Sequence, residues 1–247
     1  MDASTVRRLL LEVLDPTAGA CTLVIARLVD AAPEVSATED DIVTLATAAL
    51  TSGDVPIGPI EYVVDELDYS IHPDAPVATI AMGSPGVTML LGLALGDAGC
   101  IGVGGSRYGH LPHLSTVQDP SAVLLPDIEA ALAELVVYTR ERARLIDYTG
   151  RVEASMEMHA PGPIVPYVID PESGIATAGA PLAGFEMLRF SYSLDMSTQE
   201  IEGAVYEATQ ELARRFGADA PQFLRPPSPA PATDASTDAA PGPTAGG

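Results

Sequence analysis

The chain has 247 residues, 47% hydrophobic and 5% aromatic, enough apolar material for one large core or two small ones. Its 12 basic residues are all arginine against 34 acidic ones, a formal charge of −22. Without lysine there is no Schiff-base chemistry and no phosphate-loop lysine, and a field of that sign repels nucleic-acid phosphates and anionic lipid headgroups, so neither nucleic acid nor membrane is expected as a partner.

Cys21 and Cys100 are too few for a disulfide scaffold or a cysteine-built zinc site. The opening MDASTVRRLLLEVLDP lacks the long apolar run of a secretion signal. These features point to a cytoplasmic protein with free thiols.

In chain order, Val6, Leu9, Leu10, Val13 and Leu14 recur at helical spacing, and Asp15-Pro16 ends that helix. The run CTLVIARLV, Cys21 to Val29, reads equally as helix or strand. Next, Ser36 and Glu39 form a capping-box pattern, Ile42, Leu45, Ala46, Ala49 and Leu50 a stripe, and Gly53 a stop. Residues 1–53 are therefore expected to be a mostly helical N-terminal part. Glu39, Asp40 and Asp41 stand where a nucleic-acid recognition helix would need cations.

Residues 54–150 read as strand and helix around a glycine-rich loop. Ile60 to His72 alternates, with Tyr62, Val64, Glu66, Asp68, Ser70 and His72 on one face. Pro76 to Gly96 is uncharged and approaches the length of a membrane span, but Gly83, Pro85, Gly86, Gly92 and Gly96 break it, so it reads as buried core. Within it, PVATIAM reads as a strand, GSPG as a turn and VTMLLGLALGDAG as a helix; CIGVGG reads as a strand closing a crossover unit. Pro126 then opens a long helix whose stripe runs through Ile128, Leu132, Leu135, Val136, Thr139, Ala143 and Ile146. Arg140, Arg142, Arg144 and Arg151 complement the negative end of its dipole and have Glu141 and Asp147 to pair with.

Residues 151–224 are expected as a further strand-and-helix segment of the same globular body. RVEASMEMHA sets Val152, Ala154, Met156 and Met158 opposite Glu153, Ser155, Glu157 and His159, MLRFSYSLD is another strand, and a helix capped by Ser197 and Glu200 runs to Arg215 and stops at Gly217. Residues 225–247 are rich in Pro, Ala, Ser and Thr and read as a disordered tail. The fold class expected is α+β, with α/β as the alternative.

No catalytic residue can be named from these patterns. A nucleophilic serine needs the next backbone N–H for the oxyanion, and Ser84 is followed by Pro85, which has none. A dinucleotide fingerprint from Gly102 would need glycine where Arg107 stands. Glu66 and Asp68, about 7 Å apart along a strand, suit acid and base work, but a chain without tryptophan and poor in aromatics makes a poor sugar cleft.

The candidate ligand site is GGSRYGHLPH, where Gly104, Gly105, Arg107, His110 and His113 offer backbone N–H groups, a guanidinium and two imidazoles. No metal is expected; if one binds, His110 and His113 would need a third ligand from His72, Asp68 or His159. No cofactor is indicated. Two functions follow. One is a non-enzymatic accessory or binding protein acting through protein–protein contacts, with a protein partner or by self-association. The alternative is a small-molecule-binding enzyme or sensor built on the Arg107, His110 and His113 loop, with or without a metal.

Overall fold

A computed structural model describes residues 2–32, 37–38, 40–45, 68–71, 77–84, 87–97, 99–106, 119–170 and 172–227. Its elements are α1 (Ala3–Leu14), β1 (Cys21–Leu28), α2 (residues 40–45), β2 (Asp68–Ile71), β3 (Val77–Ser84), β4 (Val87–Leu95), β5 (Cys100–Ser106), β6 (Ala122–Leu124), α3 (Leu125–Leu145), β7 (Arg151–His159), β8 (Val165–Ile169), β9 (Ala176–Ala178), β10 (Leu188–Ser193) and α4 (Thr198–Phe216). Seven strands form one antiparallel sheet in the order β10-β7-β1-β5-β4-β3-β2. In a small second sheet β6 runs parallel to β8, which pairs antiparallel with β9. This is a single α+β body.

The large sheet is covered on both faces, and β1 shows how. Cys21, Leu23 and Ile25 point into a cluster with Val6, Leu10 and Leu14 of α1, whereas Val24, Ala26 and Leu28 point the other way, into the main core with Ile128, Leu132 and Leu135 of α3 and Ile201 and Val205 of α4. A strand buried on both faces loses its polar alternation, which is why CTLVIARLV is ambiguous as sequence. The same effect corrects the reading of VTMLLGLALGDAG. It is not a helix but strand β4, paired with β3 from Ser84↔Val87 onward and with β5 on its other side. With a strand in that place there is no crossover unit.

Among the described residues of 1–53, the two helical segments flank β1, an inner strand of the large sheet. The cap of α2 uses Thr38 and Asp41, each backbone N–H donating to the other's side chain at 3.1–3.2 Å. Ser36 and Glu39, assigned that role from sequence, lie outside the described residues, as do 46–67, His72 and 228–247.

The remaining elements follow their sequence patterns. Asp2 caps α1 through Thr5 N, 2.9 Å; Pro126 stands in the first turn of α3; the Ser197–Glu200 box opens α4 and Gly217, at φ +82°, closes it. In β7, Val152, Ala154, Met156 and Met158 are buried and the intervening residues are not.

Helix α3 is buried all round from Leu125 to Thr139, between the sheet, α4 and the small sheet, and several of its polar side chains tie it to its neighbours. The Glu129 carboxylate accepts the backbone N–H groups of Gln222, Phe223 and Leu224 at 2.6–2.8 Å, tying down the segment after α4. Thr139 and Tyr192 share a hydrogen bond of 2.7 Å between α3 and β10. Arg142, in the last turn of α3 as the sequence suggested, is 1% exposed, and its Nη1 lies 2.8 Å from Asp41 Oδ2, so it also joins α3 to the start of α2.

Candidate functional site

The glycine stretch is the first place to look, and the structure puts its glycines inside a strand. Gly102 and Gly104 lie on the face of β5 that meets α1. A Cβ at Gly102 would come 2.5 Å from Val6 Cγ1 and 2.7 Å from Leu10 Cδ1, and one at Gly104 would come 2.5 Å from Leu14 Cδ1. On the neighbouring strand, a Cβ at Gly92 would lie 2.9 Å from Leu10 Cδ2. The three glycines form a trough that seats the buried stripe of α1. Gly104 pairs with Leu23 and Gly92, and Gly105 with Thr22 and Leu91. These two sit between strands on both sides and form no anion-cradling loop.

Arg107, His110 and His113 lie outside the described residues. Of the other proposed metal ligands, Asp68 is on β2 and His159 on β7, five strands apart, roughly 24 Å at normal strand spacing. The two cannot share one ion. Among the described residues, no three His, Cys, Asp or Glu side chains gather as a metal set.

The strongest site is elsewhere. Helix α1 covers β1, β5 and β4, and leaves the same face of β7 and β10 open. Register places three rows of side chains there: Leu23 with Glu157, Ile25 with Ser155 and Arg189, and Arg27 with Glu153 and Ser191. Beside the N-terminal end of α1 lies a groove of about 540 Å³, lined by Arg27, Arg151, Arg189, Glu153, Ser155 and Ser191 together with apolar groups that include Ile25 and Met187. Three of the chain's 12 arginines face one glutamate in it.

Glu153 is held by two of them, by Arg27 Nη2 at 2.7 Å and Arg151 Nη2 at 3.1 Å. The hydrogen bond from Arg27 lowers the Glu153 carboxyl below its usual range, and the same bond raises Arg27. Arg189 is exposed and has no ion-pair or hydrogen-bond partner among the described residues. Arg151, grouped from sequence with the arginines that complement the dipole of the preceding helix, is the first residue of β7 and belongs to this groove.

Further along the same face, Glu157 takes Arg7 Nε at 2.5 Å and His159 Nε2 at 3.1 Å. Burial pushes its carboxyl up, but the bonds from His159 and Arg7 outweigh this and it ends lowered. Cys21 is the register partner of His159, so a thiol, an imidazole and a carboxylate follow one another here. This is not a nucleophile in waiting. Cys21 is 1% exposed, and burial, assisted by Glu157 and Asp15, pushes its thiol up to about 12, leaving almost no thiolate at neutral pH.

The sequence displayed half of this site. The alternation of β7 identified Glu153, Ser155, Glu157 and His159 as one polar face, and Arg189 and Ser191 alternate in the same way in β10. Their union with Arg27 across β1 follows from strand order, which pattern alone does not supply. No helix among the described residues is long and apolar enough to cross a membrane. No family model matches the chain, and no curated protein or solved structure matches it.

Proposed function

We propose that this is a non-enzymatic binding protein that receives an acidic segment of a partner protein in the groove over β1, β7 and β10. The observation that carries the proposal is the charge of that groove. In a chain of formal charge −22, it gathers three arginines against one glutamate and leaves Arg189 without a partner among the described residues. A guanidinium favours a planar carboxylate, which it can bind through two parallel N–H bonds, and Ser155 and Ser191 add hydroxyl donors beside it. The overall negative field acts at long range and is screened beyond about 8 Å at physiological salt, so the local cations decide what docks. The inert state of Cys21, the group best placed for chemistry on this face, favours binding over catalysis.

The test is selection of a displayed library of random peptides on the full chain. Enriched sequences should carry Asp or Glu, and Arg189→Glu should weaken their binding at least about tenfold, near 1.4 kcal/mol. Enrichment without acidic residues, or binding indifferent to Arg189→Glu, would overturn the reading.

A further inference from the structure

Resting on that reading, we infer that the acidic segment binds as an added β-strand along the outer edge of β10, extending the seven-stranded sheet. β10 is the end strand of the sheet and is paired on one side only, with β7, among the described residues. It contains no proline, and of its outward N–H groups that of Ser193 donates to Met196 Sδ at 3.2 Å, while those of Arg189 and Ser191 have no partner among the described residues and can pair with a further strand. The groove opens along this strand, since Met187, Arg189 and Ser191 all line it.

The two faces of β10 dictate what the added strand must look like. Toward the groove it shows Arg189, Ser191 and Ser193, and an opposing residue would stand within about 5.5 Å, the reach of a carboxylate to the Arg189 guanidinium. On the other face Leu188 and Tyr192 are buried, while Phe190 stacks on Tyr192 with ring centroids 6.3 Å apart and stays half-buried. The matching segment therefore alternates acidic or hydroxyl residues with apolar ones, the acidic set facing Arg189 and the apolar set Phe190. A second copy of this chain fits poorly. Pairing β10 with its own copy would set Arg189 near Arg189 and bring together two chains of formal charge −22.

The experiment titrates the full chain with a labelled Glu-Val alternating peptide, its Gln-Val counterpart, and two Glu-Val peptides N-methylated at alternate backbone positions. One methylated form blocks the outward-facing amides of the peptide and the other its sheet-facing amides. Expected are at least tenfold weaker binding of the Gln-Val peptide, a comparable loss for one methylated form and not the other, and slowed amide exchange at Arg189 and Ser191 on binding. Arg189→Glu should transfer preference to a Lys-Val peptide. If both methylated peptides bind like the parent, strand addition is wrong while the acidic groove stands. If Glu-Val and Gln-Val peptides bind alike or not at all, the reading beneath it fails as well. A dimer by light scattering whose Arg189 and Ser191 amides are already protected would overturn the inference by giving the edge to a second copy.

Discussion

Replacing Gly102 by alanine separates two accounts of the glycine stretch by the sign of the effect. If these glycines served a pliable loop, alanine at an unstrained position would restrict the unfolded chain and stabilise the fold by about 0.4–1 kcal/mol. Gly102 is instead paired with Ile25 and Ala94 in the middle of the sheet, and its added methyl would meet Val6 Cγ1 at 2.5 Å and Leu10 Cδ1 at 2.7 Å. Carbon atoms rest at about 3.5–4.0 Å, so α1 must lift by about an ångström. It cannot lift alone, because Leu10 and Leu14 are also seated over Gly92 and Gly104. Overpacking of this kind costs about 1–3 kcal/mol. In a chain of this size that lowers the thermal midpoint by roughly 3–10 °C. Urea unfolding followed by circular dichroism measures it. Combining Gly102→Ala with Val6→Ala should be less harmful than the sum of the two, by about 1 kcal/mol. Wild-type or higher stability for Gly102→Ala alone would refute the seating of α1 on these glycines.

Three further outcomes follow from the buried polar groups and caps. Burial raises Glu134 from the ordinary 4.5 to about 8, so the folded chain holds this proton more tightly than the unfolded one. Stability from this group is full below about 4.5, declines as pH rises toward about 8 and is then level; Glu134→Gln should flatten that decline, so the variant gains on wild type between pH 5 and pH 8 in denaturant titrations. Asp41→Ala removes the ion-pair partner of a guanidinium that is 1% exposed, and should cost about 3 kcal/mol, whereas the double variant with Arg142→Met should recover part of the loss. Gly217→Ala should cost about 1 kcal/mol purely through its left-handed backbone, because nothing lies within 4 Å of the new methyl; an unchanged urea midpoint would contradict the αL cap.

What the sequence determined by itself is local and one-sided. The caps at Ser197 and Gly217, the proline opening α3 and the alternation of β7 were all legible, because each is written in residues a few positions apart and in a pattern with one polar face. Where an element is buried on both faces the pattern vanishes. β4 then looks like a helix, and β1 like either. The glycines of β5 resemble a ligand loop for a related reason, since the side chains that need their missing Cβ atoms belong to α1, some ninety residues away in the chain. Tertiary structure alone decided that β1 stands between β5 and β7. That order sets α1 on the glycine trough, buries Cys21 beyond reach, and brings Arg27, Arg151 and Arg189 from three separate strands to one groove. Charges so far apart in sequence share a site only because strands about 4.8 Å apart carry them on the same face.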